Sequence, residues 1–218
     1  MADGVEGWLG DRGFGCQTGE PSHRSKLMKL VIPDGNFAGY IFDLDGTLVD
    51  TMPLHYRAWN EAMQHAGLQE PLSEDLFYSL GGVPTLRVAE LLSQHYGIAL
   101  DPHQVFHQKE ARFVALQGEV TLIEPVVNFA RRVATQFPVS VASGGPRVVV
   151  RGTLAQVGLA ALFSVVVTPE DVTHGKPSPE MFLLAAQKMG VPPAQCLVFE
   201  DAEPGIQAAE AAGMQWVH

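Results

Sequence analysis

Short apolar runs recur along the chain from Ala38 onward, each giving way to a longer stretch whose apolar positions return every third or fourth residue. AGYIFD at 38–43, PVSVAS at 138–143, LFSVVV at 162–167, QCLVFED at 195–201 and MQWVH at 214–218 read as strands. They are apolar nearly throughout, the pattern of strands buried on both faces. EPVVNFARRVATQ, PRVVVRGTLAQVG, SPEMFLLAAQKMG and EPGIQAAEAAG read as amphipathic helices between them. This alternation predicts an α/β fold, a doubly wound, Rossmann-like parallel sheet with helices on both faces.

One interval breaks the alternation. From residue 52 to 120 the pattern is helical only, in PLHYRAWNEAMQHAG, SEDLFYSL, PTLRVAELLSQHYG and DPHQVFHQKEARFVALQ. A helical insert directly after the first strand is expected to form a cap over that strand's carboxyl end. The chain therefore divides into a loosely ordered N-terminal leader (1–37), an α/β core (38–51 and 121–218) and an all-helical cap (52–120). The leader is rich in Gly and turn formers and lacks periodicity, with Trp8 and Phe14 as candidates for docking on the core. Met28 is an alternative start, and the halt on the last strand suggests that further residues follow His218.

Composition narrows the function. Hydrophobic residues make up 46% of the 218 and charged residues 17%, enough apolar surface to fill a real core. The formal net charge of −10 disfavours duplex nucleic acid and anionic membrane as partners. No apolar stretch is long enough to span a bilayer. The two cysteines, Cys16 and Cys196, form no disulfide framework or zinc pattern, which fits a cytoplasmic protein. Cys196, beside an apolar run, is expected in the core.

The candidate chemistry begins at IFDLDGTLVDT, where an apolar strand ends in Asp43 and Asp45. Burying carboxylates is costly unless a cation or strong hydrogen bonds compensate. Three further polar sites follow later strands: Ser143-Gly144-Gly145, Lys176 in HGKPSPE, and Glu200-Asp201. Taken singly, each has an ordinary structural use as a turn, a loop lysine or, for Asp201, a helix cap. In a parallel sheet, however, all four share one edge. The acidic strand ends suit a hard divalent cation, and Mg2+ suits a site with few protein carboxylates. The hydroxyl of Ser143, the Gly144 amide and the Lys176 ammonium suit phosphate oxygens. Together the cation and Lys176 would reverse the local sign for an anionic substrate.

DLDGT, Ser143, Lys176 within GKPSPE and FED at 199–201, in this order and with a helical insert between the first two, resemble the haloacid dehalogenase superfamily, specifically its phosphotransferases with a helical cap in the first position. The resemblance covers residue 38 to the C-terminus. It implies that Asp43 is the nucleophile forming an aspartyl-phosphate and that Asp45 is the general acid and then base. It implies Mg2+ held by Asp43, the Asp45 carbonyl and Asp201, with Glu200 as a weaker or indirect contributor. Gly46 lets the backbone bend beneath the phosphate, while Thr47 and Asp50 stabilise the turn. Two departures stand out: ASGG has fewer hydroxyl residues than many relatives, and EDAEPG lacks the Ser that many carry after the acidic pair.

In the cap, His55 either faces the site or is a surface histidine. Arg87 and Lys109 are candidates for the substrate's sugar end, Lys109 the stronger because HQKEARF resembles a cap helix in which relatives keep a lysine. The expected activity is Mg2+-dependent hydrolysis of a small phosphorylated metabolite, a sugar phosphate, by a monomer or weak homo-oligomer. GGVPTLRVAELL and CLVFEDAEPGIQAA resemble bacterial enzymes acting on fructose 1-phosphate or 6-phosphogluconate. The alternative is a sugar-phosphate mutase of the β-phosphoglucomutase type. Such mutases carry a cap arginine shortly after a Gly, where Gly82-Val83-Pro84-Thr85 here places a threonine. A haloacid dehalogenase lacks the second acid, which Asp45 supplies. A catalytically silent binding protein would have no need of Asp43, Asp45, Lys176 and Asp201 together.

Overall fold

The computed structural model describes residues 30–81 and 83–218. The chain opens with β1 (Gly39–Phe42) and the short β2 (Val49–Asp50). Four helices follow, α1 (Met52–His65), α2 (Glu74–Ser79), α3 (Thr85–Tyr96) and α4 (Pro102–Leu116), and the chain returns through β3 (Thr121–Leu122). The remainder alternates: α5 (Glu124–Val133), β4 (Val139–Ala142), α6 (Arg147–Gln156), β5 (Val165–Val167), α7 (Glu180–Met189), β6 (Cys196–Phe199), α8 (Glu203–Ala211) and β7 (Gln215–Val217).

The main sheet is parallel, in the order β5-β4-β1-β6-β7. The chain runs outward from β1 to β4 and β5, then crosses back to β6 and β7 on the other side. The strand order therefore reverses at β1, and the crevice beyond its carboxyl end is where such sheets bind ligands.

Alternation along each strand assigns side chains to the two faces. Tyr40 and Phe42 join Val141, Leu197 and Phe199 in one apolar core, packed against α5 and α6. Ile41, Ala142, Val198 and Cys196 join the other, under α7 and α8. Because both faces are covered, the strands carry no polar side, which explains their continuous apolar runs. Cys196 is a free, fully buried cysteine, and burial pushes its thiol up to about 11.

Helices α1–α4 have a core of their own, built on Trp59, Met63, Leu72, Phe77 and Leu92. Ser73 and Asp101 cap α2 and α4 through their side-chain oxygens. Leu54, Phe113 and Leu116 continue this packing onto Val149 of α6, and the Gln117 amide donates to Val149 O (3.1 Å) and Thr153 Oγ1 (3.0 Å). The insert leaves and re-enters through one antiparallel pair, Val49 opposite Leu122 and Asp50 opposite Thr121. Two-residue strands leave no periodic signal, so this pairing has no counterpart in the sequence reading.

Residues 30–37 are less detached than expected of a leader: Leu30, Ile32 and Phe37 pack against the core. Trp8, Phe14, Cys16 and Met28 lie outside the described residues. Among the described residues, no helix is long and apolar enough to cross a membrane.

Candidate active site

The sheet sets the polar groups one residue past its strands. Asp43 N donates to Phe199 O (2.9 Å), Ser143 N to Val167 O (3.1 Å) and Glu200 N to Val217 O (3.0 Å). These bonds extend the ladder beyond the apolar stretches and fix each backbone where its side chain enters the crevice. Three of the four predicted sites thus owe their positions to the neighbouring strand.

After Asp43 the chain turns sharply. Gly46 has φ +86°, a left-handed conformation, and its N donates to Val49 O (2.8 Å). A Cβ at Gly46 would overlap the Asp201 carboxylate. Glycine therefore serves here both for its dihedral and for close approach. Thr47 Oγ1 donates to Asp201 Oδ1 (3.1 Å), tying the first loop to the last. Asp201 does not cap α8: the N-cap residue is Ala202, and no side chain makes the capping bond.

Lys176 lies in the loop between β5 and α7, and its Nζ donates to Asp43 Oδ1 (2.6 Å) and Glu200 Oε1 (3.1 Å). Glu180, at the start of α7, holds this loop by accepting from the backbone N–H groups of Thr173 (2.9 Å) and His174 (3.0 Å). The Ser143 hydroxyl accepts from Gly145 N (3.2 Å), which shapes the turn containing Gly144.

Asp43, Glu200 and Asp201 each offer an oxygen, all within 4.8 Å of one another. Burial raises all three carboxyl pKa values, Asp43 well above the usual range. Like charge adds to this, from Glu200 foremost at Asp43, from Asp201 at Glu200 and from Asp45 at Asp201, although Lys176 pulls against it at each. Burial alone would lower Lys176, but Asp43 and Glu200 outweigh it and raise the ammonium's pKa. One oxygen, Glu200 Oε2, is buried without a hydrogen-bond partner. Three crowded carboxylates against one ammonium, with an orphaned oxygen, fit a hard divalent cation.

Asp45 is held differently. Its Oδ1 accepts from Thr51 Oγ1 (2.7 Å) and lies 3.4 Å from His55 Nε2. Burial raises its pKa, but the partners His55 and Thr51 and the more distant Lys109 outweigh that and lower it. His55 is pushed down, chiefly by burial and by Lys109. Of the two expectations for His55, the structure has it facing the site, stacked on Phe113 with centroids 3.9 Å apart. Thr51 escaped the sequence reading. It occupies the N-cap of α1 ahead of Pro53, a helix-start signal, yet its hydroxyl makes no capping bond and serves Asp45 instead.

A cavity of about 400 Å3 lies between these loops and the cap helices. Asp43, Asp45, Ser143, Gly144, Lys176, Glu200 and Asp201 line it from the sheet side; His55, Thr85 and Lys109 line it from the cap. Arg87 is not brought to it. Its guanidinium is exposed on α3 and pairs with Glu90 at 2.7 Å, because α3 starts at Thr85 and a step of two turns the side chain about 200° from Thr85's face.

Known proteins resemble this chain over most of its length. Residues 37–213 match the family described as haloacid dehalogenase-like hydrolase. Fructose-1-phosphate phosphatase YqaB of Escherichia coli K12 is 40% identical over 181 residues, covering 83% of this chain and 95% of that protein. Hexitol phosphatase A of the same organism is 32% identical over 178 residues, covering 80% of this chain and 79% of its own length. Among solved structures, CbbY from Rhodobacter sphaeroides in complex with phosphate superposes with a TM-score of 0.74 at 25% identity, over 83% of this chain and 84% of that one.

Proposed function

Because the chain belongs to the haloacid dehalogenase-like hydrolases and is a phosphatase of phosphorylated metabolites, we propose that it hydrolyses a sugar phosphate in two steps through an aspartyl-phosphate on Asp43, with Mg2+ as its cation. The observation that carries this reading is the contrast between two neighbouring carboxylates. Asp43 is buried against Lys176, placed to attack, while Asp45 is held at the cavity wall by Thr51 and His55, placed to move protons.

In the first step an Asp43 carboxylate oxygen attacks phosphorus and the bond to the leaving oxygen breaks. Asp45 donates a proton to that oxygen, so the substrate departs as a neutral alcohol. As it stands, Asp45 favours the ionised form. A phosphoryl anion arriving beside it adds like charge and raises its affinity for the proton that it must give. In the second step Asp45 takes a proton from water, the water oxygen attacks phosphorus, and the bond to Asp43 breaks to free inorganic phosphate. Lys176 and the hydroxyl and amides at Ser143 and Gly144 receive the phosphoryl oxygens. Asp43, the Asp45 carbonyl and Asp201 would hold Mg2+, with Glu200 behind them, and the ion supplies the charge that lets a carboxylate approach an anionic phosphoryl group.

A β-phosphoglucomutase-type mutase would share the phosphoenzyme but must also grip a second phosphate in the cap. Thr85 at the cavity wall and Arg87 turned to Glu90 disfavour it. The two readings separate on incubation with β-glucose 1-phosphate, Mg2+ and a trace of glucose 1,6-bisphosphate. Free phosphate should outpace glucose 6-phosphate; the reverse order would make the protein a mutase.

A further inference from the structure

Adjacent residues on a helix point about 100° apart and do not ordinarily meet. On α4, Lys109 and Glu110 nevertheless pair, Nζ to Oε1 at 2.8 Å, with side chains only 5% and 12% exposed. Both line the cavity, so the pair forms where the two side chains turn into the same space. The Lys109 ammonium also lies 5.5 Å from the ring centroid of Phe113, the ring on which His55 stacks. Lys109 and Glu110 both act on the proton affinity of His55, which places the pair beside the reaction centre.

Among the described lining residues, the two ammonium groups are Lys109 and Lys176, and each already faces carboxylate: Lys176 has Asp43 and Glu200, and Lys109 has Glu110. The rest of the cap wall, with Trp59, Phe77, Leu80 and Val88, is largely apolar. This end of the cavity therefore carries donors and acceptors for hydroxyls but no uncommitted cation. Glu110 adds a carboxylate that a second anionic group would have to approach.

We propose that Glu110 is a specificity determinant. It accepts hydrogen bonds from the hydroxyls of a neutral sugar or polyol tail and, by neutralising Lys109, excludes substrates bearing a second phosphate. This inference rests on the phosphatase reading of the same cavity and narrows it to monophosphates. Like charges brought together at a desolvated contact discriminate strongly, whereas a lysine freed of its partner would welcome the same group.

The test compares fructose 1-phosphate with fructose 1,6-bisphosphate in two ways. One is kcat/KM for phosphate release with Mg2+; the other is equilibrium binding of both compounds to Asp43→Asn protein, which needs no turnover. The wild type should favour the monophosphate by about tenfold or more. Glu110→Gln, which keeps the shape and releases Lys109, should shrink that ratio by about fivefold or more, and Glu110→Asp, which keeps the charge, should preserve it. Loss of fold would alter both variants alike and would not move the ratio in one alone. A wild type indifferent to the second phosphate, or a ratio unchanged in Glu110→Gln, overturns the proposal. Failure to release phosphate even from p-nitrophenyl phosphate would instead overturn the phosphatase reading, and the binding preference would still decide the role of Glu110.

Discussion

His55 Nε2 lies 3.4 Å from Asp45 Oδ1, joining the first cap helix to the loop after the central strand. The imidazole face stacks on Phe113, nearly parallel at 10°, and its Nδ1 is buried without a hydrogen-bond partner. A residue of the helical insert thereby holds Asp45, and in the proposed mechanism this contact would couple proton transfer to the position of the cap.

Replacing His55 with Ala should lower kcat by about tenfold, because Asp45 keeps Thr51 but loses its second support. KM should change less than kcat. Steady-state kinetics, with thermal unfolding as the check on fold, decide this, and an equal loss through KM alone would assign His55 to substrate binding.

Asp43→Asn should abolish turnover in a folded protein, since an amide cannot attack phosphorus. Asp45→Asn should reduce kcat by about a hundredfold or more, because the nucleophile survives while proton transfer is lost. A substrate with a good leaving group, such as p-nitrophenyl phosphate, needs less help in the first step. It should therefore lose less than a sugar phosphate when phosphoenzyme formation is followed in a single turnover.

Mg2+ should raise the unfolding temperature as well as restore activity after EDTA treatment. The physical reason is the crowding of Asp43, Glu200 and Asp201, whose repulsion a bound cation relieves only in the folded chain. Asp201→Asn should weaken the thermal shift at a given Mg2+ concentration. Calcium should substitute poorly in catalysis, because its looser coordination misplaces Asp43 relative to phosphorus. Full activity in EDTA would remove the metal from the mechanism.

Glu180 should act through the loop that carries Lys176. Its carboxyl is pulled down to about 2, first by the His174 backbone N–H and then by the His174 side chain, with burial pulling the other way and the Thr173 N–H adding less. A depressed carboxyl pKa stabilises the folded chain above the unfolded value and loses that contribution as pH falls through the folded one. The gap in unfolding temperature between wild type and Glu180→Gln should thus be constant above about pH 5 and close between about pH 4 and 2. The same variant should lower kcat/KM at neutral pH by loosening Lys176, whereas an unchanged rate would show that the loop holds itself.

Much of this protein was legible in its amino-acid order because the relevant signals are local or strictly ordered. Unbroken apolar runs such as Tyr40–Phe42 and Cys196–Phe199 suit strands covered on both faces, and their alternation with amphipathic helices implies a parallel sheet. Strand ends in such a sheet share an edge, so Asp43, Ser143 and Glu200 could be assigned to one crevice before any coordinate was known. Contacts between side chains were decided elsewhere. Nothing in the sequence ties Thr51 to Asp45, yet its hydroxyl bonds that carboxylate; Asp201 reads as a cap but receives Thr47, and Arg87 reads as a substrate ligand but pairs with Glu90. Lys109 and Glu110 are neighbours that helical geometry would separate, and they meet only because the cavity gives both a place to turn. Local order determines which backbone forms and which face is apolar. Where a polar side chain finds its partner depends on what distant segments bring within about 3 Å, and only the folded chain supplies that.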